Sequence, residues 1–220
     1  MAAFQYSPPG FAVVSDGAGG AIVAFDNHEG ARPLGSDTDH VTVQRMNGAG
    51  DNLWGEGVSV LPSDPTQSLS SLIPGPGGGA FVGAFVYPVQ SEAVHLVFQR
   101  LTASGQPVWP ATGAPVVDPA VSRPGDYEAP GFGCFDGTTL RIVWEFYARG
   151  ESPSDIRFTA LDAAGNRLTT RRAGIPLTDV MDFPGLQGFA CNPDTGVSFL
   201  IWGGGYEAGA PDLMGLLYSP

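Results

Sequence analysis

The sequence predicts an all-β protein built from four repeated antiparallel sheets, and three observations carry that expectation. Glycine (32) and proline (20) together fill nearly a quarter of the 220 residues, a density that suits short strands joined by tight turns and breaks long helices. Apolar residues make up 43% of the chain, enough to bury a core and to argue against disorder. One pattern, a glycine-rich turn running straight into an uninterrupted apolar stretch, recurs four times.

The four copies read FAVVSDGAGGAIVAFDN, LIPGPGGGAFVGAFVY, FGCFDGTTLRIVWEF and FACNPDTGVSFLIWGG, which places Phe25, Phe85, Trp144 and Trp202 at matching points 60, 59 and 58 residues apart. A second shared segment follows in the first three: HVTVQRMNGAGDNLW, HLVFQRLTASGQPVW and DIRFTALDAAGNRLT. The fourth copy continues only as DLMGLLYSP. Each copy therefore holds a strand before the DG-type turn, an apolar strand after it, an alternating strand such as VTVQR, and a short strand after the xxxG turn. Glycine in these turns takes the positive φ that hairpins need. Four antiparallel strands at a period of about 58 residues match the blades of a β-propeller, whose strands are apolar on both faces because blades stack around an axis.

The expected architecture is a single domain over residues 1–220, a four-bladed β-propeller with blades at 8–61, 72–117, 132–177 and 189–220. Residues 2–7 (AAFQYS) are expected to add the outer strand that the last blade lacks, which would remove two open edges. The alternative is half of an eight-bladed ring formed by two chains.

The pattern of Asp16–Gly20, Gln44–Trp54 and Gln99–Trp109, DGxGG followed by an apolar run and then QR(L/M)xxxGxxxW, resembles the propeller-type repeats of secreted bacterial proteins. Copy three departs from it, with Thr159 and Ala160 in place of the QR pair and Thr169 in place of the tryptophan. The resemblance implies architecture and an extracellular setting, and no shared catalytic residue.

The formal charge is −12 and all ten basic residues are arginine. Such a surface repels phosphate backbones and anionic headgroups, so neither nucleic acid nor membrane is an expected partner. No apolar run reaches the roughly 18 residues of a membrane span. MAAFQYSPPG carries no signal-peptide pattern. An extracellular or periplasmic protein with its leader absent is expected, with a cytoplasmic one as the alternative, as a monomer or homodimer.

Matching short turns serve the fold, whereas long irregular loops carry function. The loops between second and third strands, and between one repeat and the next, gather acids and tyrosines. Carboxylates accept hydroxyl hydrogen bonds, and rings stack on C–H surfaces or attract cations. The candidate ligand-binding residues are Asp26, His28, Glu29, Tyr87, Tyr127, Glu145, Tyr147, Tyr206 and Glu207, and the leading expectation is a non-catalytic module binding a carbohydrate or small polar molecule. An enzyme is the alternative, with Asp26 and Glu145 as a facing carboxylate pair and His28 beside them for acid/base work on a small or saccharide substrate. A structural or assembly protein is a third reading. No cofactor is required, though the facing acids could hold calcium. No zinc spacing, phosphate loop or Ser-His-Asp order is present. His40 and His95 sit at matching positions and read as structural. Cys134 and Cys191 also match, and either a disulfide or two buried thiols fits.

Overall fold

The structure is a computed structural model, and it describes residues 10–28, 39–63, 66–87, 93–149, 155–177, 185–192, 194–195, 197–204 and 212–218. The chain is all-β. Its first sheet takes the strands in order β1 (Phe11–Ser15), β2 (Ala21–His28), β3 (Asp39–Met46) and β4 (Val58–Ser59). The second comprises β5 (Gln67–Pro74), β6 (Ala80–Val86), β7 (His95–Leu101) and β8 (Ala114–Pro115). The third comprises β9 (Tyr127–Phe135), β10 (Leu140–Tyr147), β11 (Asp155–Leu161) and β12 (Ile175–Pro176), and the fourth β13 (Gly185–Cys191), β14 (Ser198–Gly204) and β15 (Asp212–Tyr218). Every neighbouring pair within a sheet is antiparallel.

The first strands of the sheets are the innermost: β1 packs on β5, β5 on β9, and β9 on β13. The apolar run after each turn is the second strand, as the order of segments in the sequence predicts. β1 and β13 share no comparable packing among the described residues, so these sheets form an open succession and not a closed ring. Residues 2–7, the expected closing strand, lie outside the described residues.

Register corrects the alignment of the repeats. Ala21, Ala80, Leu140 and Ser198 pair with Met46, Leu101, Leu161 and Tyr218 at the same point of each hairpin. Counting from there, Phe25, Trp144 and Trp202 correspond to Ala84, and Phe85 corresponds to Asp26 and Glu145. An alignment of the second repeat on Phe85 therefore slips by one residue against the others, although GPGGG and DGAGG are both five-residue turns closed by a bond from the first N–H to the fifth carbonyl. Side chains alternate across a strand, so the slip decides which face each residue serves. Ala80, Val82, Ala84 and Val86 pack back on the first sheet, with Ile22, Ala24, Val41 and Val43 opposite. Leu140, Ile142, Trp144 and Phe146 pack back on Phe81, Phe85, Leu96 and Phe98 of the second. Leu200 and Trp202 pack back on Val143, Ile156 and Phe158 of the third.

The QR…W motif is the connector between sheets. Arg45 Nη1 and Trp54 Nε1 both donate to the carbonyl of Ala103, in the β7–β8 turn of the next sheet, at 3.0 and 2.9 Å. One repeat later, Arg100 Nη1 and Trp109 Nε1 both donate to Ala163 O, each at 3.0 Å. One carbonyl has two lone pairs, so it takes both donors. The glutamines hold the fourth strand in place: Gln44 Nε2 donates to Gly55 O while its Oε1 accepts from Trp54 N, and Gln99 does the same around Trp109 and Pro110. The tryptophan rings lie flat on backbone. A Cβ on Gly105 would sit 2.9 Å from Trp54 Cδ2, and that residue's φ of +79° also excludes most side chains.

Cys134 of β9 and Cys191 of β13 form a disulfide, Cα–Cα 5.9 Å, across 57 residues of chain. Replacing both cysteines by serine should lower stability by about 2–5 kcal/mol, read by denaturant unfolding. Trp109→Phe and Arg100→Met should each cost about 1 kcal/mol for the lost hydrogen bond. Their double variant should deviate from additivity because they share one acceptor.

Candidate functional site

The second strands end, and the next sheet's innermost strands begin, at the end of the molecule opposite the clasping turns. Three of the innermost strands are bulged there. Leu69↔Ala84 is followed by Ser71↔Gly83, Leu186↔Trp202 by Gly188↔Ile201, and Glu128↔Phe146 by Gly131↔Trp144. Bulges of this kind bend a strand and re-aim its side chains, often beside a site.

Tyr87, Tyr127 and Tyr147 converge at this end. Phe85, at the top of β6, stacks on Tyr127 at 6.3 Å between ring centroids and 17° between planes, and Tyr127 meets Tyr147 at 5.9 Å. The Tyr87 hydroxyl lies 3.3 Å from Ser68 Oγ, and Tyr147 Oη donates to Glu145 Oε2 at 2.6 Å. Burial first, then the proximity of Tyr87 and Glu145, raises the Tyr127 phenol above its ordinary value. Tyr87 remains exposed, so the cluster offers one wet ring beside two half-buried ones.

The carboxylates bracket this aromatic group. Asp26 Oδ1 accepts from Leu69 N at 2.6 Å and Oδ2 from Gly10 N at 2.9 Å. Glu145 Oε1 accepts from Leu186 N. Asp26 and Glu145 thus occupy equivalent register positions and do equivalent work, each caught on the first strand of the next sheet. Each reaches forward to the adjoining sheet. In the second sheet the stacking of Phe85 on Tyr127 stands in for that hydrogen bond. A carboxylate holding two donors still has lone-pair sites left for a ligand hydroxyl.

Glu128 is 1% exposed. Its Oε2 accepts from Leu96 N at 2.7 Å and its Oε1 lies 3.6 Å from His95 Nδ1, so it joins the second and third sheets. Burial raises its carboxyl above the ordinary value against the opposing pull of His95 and the Leu96 amide. Asp126, also buried, accepts from Arg123 N and Arg149 N and fixes the loop that delivers Tyr127.

Of the residues singled out in the sequence, Tyr87, Tyr127, Glu145 and Tyr147 are brought together, and Asp26 lies one sheet away with its Leu69 contact adjacent to Ser68. His28 is the last residue of β2, with its side chain outside the described set. Glu29, Tyr206 and Glu207 lie outside the described residues. Sequence reasoning passed over Ser68 and counted Glu128 among the acids of this face without making it a candidate site residue. Glu128 was legible as the residue beside Tyr127 in the same loop, and Ser68 carried no signal. Among the described residues no group of three or more His, Cys, Asp or Glu side chains gathers as a cation site would require.

No protein-family model and no curated protein sequence matches the chain. Among solved structures it is similar to an endo-arabinase from Bacteroides thetaiotaomicron, with TM-score 0.51, 10% identity, and coverage of 94% of this chain and 74% of that one. A thermostable family-43 glycoside hydrolase (TM-score 0.49, 8% identity, 90% and 67% coverage) and an endo-arabinanase of the same family from Bacillus licheniformis (TM-score 0.41, 13% identity, 95% and 72%) also align. The first of these establishes the fold as that of a β-propeller; the endo-arabinase has five blades. The same comparison corrects the expectation of a non-catalytic binding module, since the solved structure that shares this fold is an endo-arabinase.

Glu128 generates a signed prediction. Its folded-state carboxyl is raised above the ordinary 4.5, so ionisation costs stability as pH rises through that value, and the cost persists at neutral pH. Glu128→Gln keeps an oxygen for Leu96 N and carries no charge. Relative to wild type it should gain stability as pH climbs from below that value to neutrality, and match wild type in acid, as read by unfolding across that range.

Proposed function

We propose that the chain is a hydrolase of glycosidic bonds that acts on a saccharide at the tyrosine-lined end of its innermost strands. The observation that carries this is the convergence of Tyr87, Tyr127 and Tyr147 beside Glu145 and along the β5 edge that Asp26 grips. Sugar rings present C–H faces that stack on tyrosines and hydroxyls that donate to carboxylates. Asp26 and Glu145 supply the two acids such chemistry needs. One delivers a proton to the glycosidic oxygen as the bond to the sugar carbon breaks, and the other draws a proton from the water that adds to that carbon. Their hold on Leu69 N and Leu186 N fixes each carboxyl on rigid sheet. The endo-arabinase sharing the fold makes arabinan the first substrate to try. The Cys134–Cys191 bridge supports an extracellular or periplasmic location, since such bonds persist in oxidising compartments.

Release of reducing ends from arabinan tests the proposal. Asp26→Asn and Glu145→Gln each keep an acceptor oxygen for their backbone partners, and each should lower turnover by at least about a hundredfold. Tyr127→Ala should raise KM more than it lowers kcat. No release by the wild type, or undiminished turnover in both acid variants with unchanged melting temperatures, overturns this reading.

A further inference from the structure

The first sheet carries an unoccupied copy of the interface that joins the sheets to each other. In the second, third and fourth sheets, the face bearing Ala80, Val82 and Ala84, or Leu140, Ile142 and Trp144, or Ser198, Leu200 and Trp202, is buried against the sheet before it. The matching residues of the first sheet are Ala21, Val23 and Phe25, and no sheet covers them among the described residues. On the same face, Phe11 and Val13 pair with Phe25 and Val23 and are 78% and 60% exposed.

The polar half of the interface is vacant as well. Gly48 occupies the place of Ala103 and Ala163. In all three turns the first residue's N–H bonds to the fifth residue's carbonyl, and the glycine N–H returns to the first carbonyl. Ala103 O and Ala163 O each receive an arginine and a tryptophan from the preceding sheet. Among the described residues no side chain donates to Gly48 O. Gly105 and Gly165 are each covered by a tryptophan ring, whereas a Cβ placed on Gly50 would meet nothing within 4 Å.

We infer that this face is a docking surface for one further β-sheet bearing the same Gln-Arg…Trp signature, whose arginine and tryptophan would converge on Gly48 O while its apolar side covers Phe11, Val13, Val23 and Phe25. The fourth sheet of this chain lacks the matching groups: by register its positions for Gln and Arg are Leu216 and Leu217. A second copy of the chain has both of its complete sets, Arg45 with Trp54 and Arg100 with Trp109, already engaged on Ala103 and Ala163. The occupant is therefore a sheet of this repeat type that is distinct from the four described here.

The test extends the full chain with a duplicate of its own residues 66–117 joined ahead of Met1, which presents Gln99, Arg100 and Trp109 to the vacant face. The melting temperature should rise, and the added tryptophan should be shielded from acrylamide. Arg100→Ala with Trp109→Phe in the duplicate should cancel the rise, and Phe11→Asp in the receiving face should cancel both effects. An added tryptophan that stays fully quenchable with no change in melting temperature overturns the inference. A native chain that sediments as a dimer and is split by Phe11→Asp also overturns it, because a second copy would then be the occupant.

Discussion

Two donors converging on one carbonyl set the spacing of the sheets. Arg45 and Trp54 meet at Ala103 O, and Arg100 and Trp109 meet at Ala163 O. Each acceptor lies in a tight turn whose glycine leaves room for an indole ring. A hydrophobic face alone would let neighbouring sheets slide, since apolar burial has no direction. A fixed carbonyl read by a planar guanidinium and an indole N–H defines both distance and tilt. The third repeat, with Ala160 and Thr169, has neither donor, and the third-to-fourth junction relies on other means: the disulfide between β9 and β13, the Arg141–Ser198 bond, and the Glu145–Leu186 bond.

The clasps and the candidate site occupy opposite ends of the same strands. This separation lets one end be repetitive and the other varied. The site end is still stiff, because its carboxylates are seized by backbone amides of the adjoining sheet and its loop is tied down by Asp126. Rigid elements with locked rotamers are what a binding site needs to hold its polar groups in place.

Much of the architecture was legible because hairpin turns and apolar runs recur with a period that no helix produces. Strand order, the four sheets and the role of Trp54 and Trp109 in packing all follow from it. The expectation that AIVAF is buried on both faces fits AFVGAFV of the second sheet, where every residue is buried. It fails for the first sheet, where only Ile22 and Ala24 are fully covered, since nothing described packs on the other side. The one-residue slip in the second repeat was hidden by Phe85, an aromatic standing where an aromatic was sought. At the site, Glu145 and Tyr147 could be read as neighbours because residues two apart share a face of a strand. The partners of Asp26 and Glu145 could not, since backbone amides of another sheet leave no trace in side-chain identity.

The bulges in β5 and β13 divide each of these strands into two stretches of different phase. Leu69 and Leu72 face the same neighbouring sheet although they are three positions apart, an odd spacing, and Leu186 and Phe189 do likewise. The extra residue works as a coupling between two gears of unlike pitch, so the stretch at the tyrosine-lined end is set independently of the stretch locked in the waist of the molecule. Removing Ser70 or Gln187 would turn the mouth inside out while the core kept its teeth engaged.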